Sequence, residues 1–146
     1  QEIQAQQVNQ DIVMNLDFAP TFLDYSNSEI PVEMQGRSLR PIVKGNENYE
    51  WRKSMYYHYY EYPHGWHMVK RHYGIRTQRY KLIHFYNDVD VWELYDLQKD
   101  PHELNNVYND PEYTNVVAEL KKELKRLRQK YSDTGFLESD PESKNS

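Results

Sequence analysis

Histidine, aromatic and basic side chains crowd one stretch of this 146-residue chain: His58, His64, His67 and His72 stand among Tyr57, Tyr60, Trp66, Lys70 and Arg71. Imidazole, ammonium and guanidinium groups donate hydrogen bonds to sulfate or carboxylate oxygens, and aromatic rings offer faces on which sugars stack. One reading is therefore a polar, aromatic lip for an anionic or sugar ligand. The other is a set of strand-surface and turn residues, the ordinary setting for His. His67 and His72 are five positions apart, so on one strand they point to opposite sides, which argues against a shared metal site. His67 and His72 lead as ligand contacts and His58 follows, while His64 falls in the turn signal Pro63-His64-Gly65.

No self-contained catalytic machinery accompanies them. There is no Gly-x-Ser-x-Gly elbow, P-loop, His-Glu-x-x-His or Cys-x-x-Cys, and no local pattern supports a Ser–His–Asp arrangement. No residue is assigned a catalytic or metal-ligating role. Arg76 is read as a structural cation that could pair with a carboxylate such as Asp96, and Lys81 has the same two readings of structural partner or ligand contact. Asp100-Pro101-His102-Glu103-Leu104-Asn105-Asn106 reads as a capping and turn segment.

Bulk properties narrow the partners. A net charge of −5 and a pI near 5.7 argue against non-specific nucleic-acid binding, which needs a basic footprint. No cysteine is present, which removes disulfides, thiolate–zinc sites and a thiol nucleophile. No apolar run approaches the length that spans a membrane. Mean hydropathy is −1.05, and much of the hydrophobic content is carried by 14 Tyr and 3 Trp. Such residues suit half-buried positions, so a small core with a surface in contact with something else is expected. Gln1-Glu2-Ile3-Gln4 offers neither an initiator Met nor an export pattern, and the chain reads as one entered part-way.

The elements that must position these groups are legible by period. Asp11-Ile12-Val13-Met14 suits a short strand, followed by a helix through Tyr25 with Asp17 as N-cap and Pro20 in its first turn. Residues 27–53 carry too many Pro, Gly and Ser-Asn signals for a regular element and read as a wrapping connector. Met55–Tyr62, His67–Thr77, Tyr80–Tyr86 and Trp92–Leu97 read as four antiparallel strands. In the second, Tyr73 and Ile75 share one face and His72 and Arg76 the other. From Asp110 (N-cap) and Pro111, apolar residues recur at Tyr113, Val116, Val117, Leu120, Leu124, Leu127 and Tyr131, the stripe of a long helix lying on the sheet. Its basic face reads as solvated surface. From Gly135 the acidic, Ser-rich tail reads as disordered.

Several segments carry a resemblance. Asp17-Phe18-Ala19-Pro20-Thr21-Phe22-Leu23-Asp24 resembles the "D-x-A-P-T-x-L-D" near the end of the catalytic domain in formylglycine-dependent sulfatases. Gln35-Gly36-Arg37-Ser38-Leu39 resembles the "Q-G-x-S-L" that follows it. His72-Tyr73-Gly74-Ile75-Arg76-Thr77 with Arg79-Tyr80-Lys81-Leu82-Ile83 resembles the C-terminal hairpin of these enzymes. Glu93-Leu94-Tyr95-Asp96-Leu97 with Asp100-Pro101, Glu103 and Asn106 resembles "E-L-Y-D-L-x-x-D-P-x-E-x-x-N".

The resemblance runs from about residue 8 to 131 and is closest to bacterial sulfatases of the N-sulfoglucosamine and N-acetylglucosamine-6-sulfate type. It implies an α+β fold: a four-stranded antiparallel sheet packed by a long C-terminal helix, preceded by the tail of an α/β catalytic domain of the alkaline-phosphatase superfamily. Residues 1–53 are then the end of that domain with its connector, 54–134 the C-terminal subdomain and 135–146 the tail. It further implies hydrolysis of sulfate esters or sulfamates on glycans, in the periplasm or outside the cell, with calcium and formylglycine held upstream. The nucleophile motif "C/S-x-P-x-R" and the Asp/Asn metal ligands have no match here, so no catalytic residue is carried over. The implied partners are the chain's own upstream catalytic domain and a sulfated glycan, with a substrate-facing hairpin around His67 and His72. The competing reading is a free-standing, non-catalytic module that binds sulfated or acidic sugars.

Overall fold

The computed structural model describes residues 3, 5–45, 49–63, 66, 68–87 and 89–133. The chain divides into two compact units, Gln1–Lys53 and Ser54–Ser146.

In the first unit a 3-10 turn, Asn15–Asp17, leads into helix α1 (Phe18–Tyr25), and a single-turn helix α2 spans Arg40–Val43. The expected strand at 11–14 does not form. Those residues are irregular, no strand lies beside them among the described residues of this unit, and the Ile12 carbonyl instead accepts the Trp51 indole N–H at 2.7 Å. Asp17 stands at the N-cap position of α1, but its side chain caps nothing in that helix. Its carboxylate accepts the backbone N–H of Met14 at 2.8 Å and of Arg37 at 2.9 Å. It also receives both arms of the Arg52 guanidinium. Residues 27–53 are thus a connector pinned at its middle. The Thr21 hydroxyl accepts from the Leu39 N–H, and the Ser38 hydroxyl donates to Asp24. Gly36 is required here: a Cβ at this position would stand 1.9 Å from the Leu16 carbonyl oxygen.

The second unit is a meander of four strands in the order β1-β2-β3-β4: β1 (Ser54–Tyr59), β2 (His72–Thr77), β3 (Tyr80–Phe85) and β4 (Val91–Asp96). All neighbours are antiparallel. Strand β2 begins at His72 and not at His67: Met68, Val69 and Lys70 are irregular. Strand β1 likewise stops at Tyr59, short of Tyr62. The β2–β3 turn at Gln78-Arg79 lacks Asn-Gly chemistry because the Thr77 hydroxyl substitutes for it, accepting the N–H of Tyr80 at 2.8 Å.

The Asp110 carboxylate accepts the Glu112 N–H at 2.9 Å. Pro111–Tyr113 form one 3-10 turn, from which helix α3 (Thr114–Lys130) continues. Tyr113, Leu120, Leu124 and Leu127 join Tyr73, Ile75, Leu82 and Leu94 in one buried cluster, the apolar stripe laid on one sheet face. The tail from Gly135 lies outside the described residues. Across the sheet's other face, a Cβ at Gly74 would meet the Leu82 carbonyl oxygen and the Tyr57 hydroxyl at 2.5 Å each. Gly74→Ala is expected to destabilise by about 1–3 kcal/mol through overpacking against backbone that cannot yield; thermal unfolding of the variant checks this.

Candidate substrate-facing site

The strand register divides the side chains between two faces. Tyr56 and His58 of β1, Tyr73 and Ile75 of β2, Leu82 and His84 of β3 and Leu94 and Asp96 of β4 share the face covered by α3. Tyr57, Tyr59, His72, Gly74, Arg76, Ile83, Phe85 and Tyr95 lie on the opposite, outer face.

His58 and His72 are therefore separated by the sheet itself. The His58 side chain is only 3% exposed. Its Nδ1 donates to the Asp133 carboxylate at 2.6 Å, and the Tyr86 hydroxyl donates to its Nε2 at 2.8 Å. Tyr56 donates to the same Asp133 oxygen. Burial pushes the His58 ring below the usual imidazole range. Burial alone would raise Asp133, but the hydrogen bonds from Tyr56 and His58 outweigh it and hold the carboxylate below its ordinary value. Every ring nitrogen of a neutral His58 is satisfied by this arrangement, so within this unit His58 ties β1 to the end of α3. It does not share a face with His72, as a common lip would require.

His72 occupies the outer corner where β2 begins. Its Nδ1 lies 2.8 Å from the Lys70 carbonyl oxygen. Its ring stacks on Tyr59 (5.4 Å between centroids, 24° between planes) and meets Phe85 at 5.0 Å and the edge of Tyr57 at 6.0 Å. The segment that leads into it carries the remaining candidates. The Lys70 ammonium bonds to the Tyr62 hydroxyl and sits over that ring, and Arg71 Nε donates to the Tyr60 carbonyl at 3.0 Å. Trp66 is 98% exposed. His67 and His64 lie outside the described residues.

Arg76 does not take the partner suggested for it, whereas Lys81 takes a structural one. Asp96 is buried and pairs with Arg79, not Arg76: Arg79 donates from Nη2 at 2.8 Å and from Nε at 3.1 Å. Asp96 faces α3, where the Tyr113 hydroxyl also donates to it, whereas Arg76 is on the outer face. The Arg79 hydrogen bonds hold the Asp96 carboxyl below the usual range. Lys81 pairs with Glu103 at 2.5 Å. The Asp100 carboxylate accepts the N–H groups of Leu104 and Asn105 at 2.7 and 2.8 Å, a turn cap as its setting suggests.

Sequence reasoning placed Asn106 only within a turn segment and gave no role to His84 or Asp133. Asn106 Oδ1 accepts from Leu94 N at 3.0 Å and from Tyr108 N at 3.0 Å, binding the last strand to the segment before α3. His84, read only as a strand residue, stacks on Trp92 at 4.1 Å and bonds to Tyr73 and Asp90. The Pro101–Asn106 spacing carried a signal for Asn106; nothing local marked His84 or Asp133.

Fold and site together define an α+β subdomain: a meander sealed by one helix, with its open polar aromatic corner on the other face. Residues 1–130 match the family described as N-sulphoglucosamine sulphohydrolase, C-terminal. The chain is 49% identical over 144 residues to an N-acetylglucosamine-6-O-sulfatase of Bacteroides thetaiotaomicron, covering 97% of this chain and 25% of the relative. It is 34% identical over 107 residues to a delta 4,5-hexuronate-2-O-sulfatase of the same organism, covering 71% of this chain and 21% of the relative. A solved structure in complex with its substrate, D-glucosamine-2-N,6-O-disulfate, superposes with a TM-score of 0.87 at 50% identity, covering 91% of this chain and 27% of that one. The chain belongs to this sulfatase C-terminal family. It spans about a quarter of the length of the curated relatives it matches, and these matches favour a sulfatase subdomain over a free-standing sugar-binding module.

Proposed function

We propose that this chain is the C-terminal part of a sulfatase that removes sulfate from glucosamine units of glycosaminoglycan-type glycans, and that it shapes the substrate pocket and stabilises the catalytic domain. The observation that carries this reading is the 49% identity to an N-acetylglucosamine-6-O-sulfatase over 97% of the chain, joined to the likeness to a disulfated-glucosamine complex. In this reading His67 and His72 belong to the substrate-facing edge, and His58, buried on the face under α3, is a structural tie and not a contact. The periplasm or cell exterior is the proposed location, where such glycans are met.

The calcium and formylglycine that the family implies have no fitting donors here. Among the described residues no three His, Asp or Glu side chains converge on one point, and the chain has no C/S-x-P-x-R motif whose Cys or Ser could become formylglycine. We therefore place both groups in the upstream domain and route no step through these residues. The chain's own contribution is to bind and orient. No helix among the described residues is long and apolar enough to cross a membrane.

Sulfate release by the full-length protein tests this. A 6-O-sulfated glucosamine is expected to be cleaved on the order of a hundredfold faster, in kcat/KM, than a 2-O-sulfated hexuronate, because sites built on hydrogen bonds reject substrates that leave them unpaired. Chelation of calcium is expected to remove activity, and calcium to restore it. Preference for the hexuronate, or cleavage of phosphonates alone, would overturn the assignment.

A further inference from the structure

The unused hydrogen-bonding capacity of the outer face gathers at one corner. The Tyr57 and Tyr59 hydroxyls are buried and have no hydrogen-bond partner among the described residues. Beside them stands His72, opposite Tyr59 on β1 and Phe85 on β3, while Tyr57 is opposite Gly74. Its polarity is fixed by its contact with Lys70. The Lys70 carbonyl can only accept, so His72 Nδ1 must carry the hydrogen that bridges 2.8 Å to it. In the neutral ring this leaves Nε2 as a bare acceptor. The stack on Tyr59 and the contacts with Phe85 and Tyr57 hold the ring plane. An acceptor so held attracts an O–H or N–H group and repels a sulfate oxygen.

Resting on the sulfatase reading above, we infer that His72 is a specificity-determining residue whose Nε2 accepts a hydrogen bond from a neutral O–H or N–H group of the sugar, and that Tyr59 and the Lys70 carbonyl are its positioning groups. The residue reads the sugar, not the anion. This differs from the role its sequence neighbourhood suggests, in which imidazole would donate to sulfate.

The test uses the full-length protein with 6-O-sulfated glucosamine and with analogues methylated or deoxygenated at single hydroxyls, or lacking the amide N–H. His72→Phe, which keeps the aromatic packing, is expected to raise KM roughly tenfold while kcat changes little. His72→Gln, whose amide oxygen is an acceptor of similar reach, is expected to recover part of that loss. Against the one analogue that lacks the recognised donor, wild type and His72→Phe should have equal KM, and the identity of that analogue separates a hydroxyl from an N–H. Tyr59→Leu is expected to raise KM about threefold, an effect absent once His72 is Phe. Wild-type activity with an unchanged KM in His72→Phe would overturn this inference and leave the sulfatase reading intact. Absence of sulfate release from every sulfated glucosamine by wild type would overturn both.

Discussion

Asp17→Ala is expected to lower the stability of the first unit by about 3–5 kcal/mol, the range for removing one partner of a buried ion pair. Asp17 is fully buried and the Arg52 side chain is 12% exposed, so the guanidinium left behind would be a largely desolvated cation with no counter-charge. Two backbone donors, Met14 N–H and Arg37 N–H, would lose their acceptor at the same time. A loss of this size rivals the net stability of a small domain. The change should therefore appear as protease sensitivity and lost amide protection around α1 and residues 36–39. Arg52→Met combined with Asp17→Leu should be milder than Asp17→Ala alone, because it removes both charges.

The pH dependence has a definite sign. Burial alone would raise the Asp17 carboxyl, but the Arg52 hydrogen bond, the two N–H donors and the Arg52 charge hold it below 3.8. Its contribution is present above that value and is lost as pH falls through the lower folded-state value. Protection at α1 that is equal at pH 5 and pH 7 but falls in acid fits this; a loss below about 1 kcal/mol in Asp17→Ala would sink it.

The same residue shows where sequence reading succeeds and where it stops. Asp before an apolar helical pattern with Pro20 behind it is a sound N-cap signal, and Asp17 does stand at that position. What the pattern omits is Arg52, 35 residues on, since a long-range pair leaves no periodicity. Gly36 has the same logic: its need is set by the Leu16 carbonyl across the fold. By contrast, β2, β3 and α3 were legible because each has one face against a single core, which writes a period of two or of 3.6 into the sequence. Strand β1 carries aromatics on both faces, Tyr56 and His58 inward and Tyr57 and Tyr59 outward, so its alternation is silent. Separating His58 from His72 required the register. The sulfatase resemblance of the motif segments is explained by the same contacts: Asp17, Gly36, Asp96, Asp100 and Asn106 are joints of the scaffold.

The second large effect is expected at Asp133, which no sequence signal singled out. Asp133→Ala should destabilise the second unit by about 2–3 kcal/mol, because Tyr56 and His58 would both lose the acceptor to which they donate. Ser132, with φ of +55°, turns the chain after α3, and Asp133 N–H donates to the Arg128 carbonyl at 2.9 Å. The helix end and the edge strand β1 are thus stapled at one side chain. Acid should open the staple in two stages. Because burial lowers the folded His58 value below 6.5, the unfolded chain takes up that proton first, so the His58 contribution is present above 6.5 and declines as pH falls below it. The Asp133 contribution follows, present above 3.8 and lost as pH falls through its lowered folded value. Amide exchange of β1 and α3, corrected for intrinsic rates, should show protection falling between pH 7.5 and 5.5 in wild type and much less in His58→Gln, which cannot titrate. Equal falls in both proteins would show that His58 is not the group responsible, and a rise in wild type would mean that it is held protonated by Asp133 in the folded state.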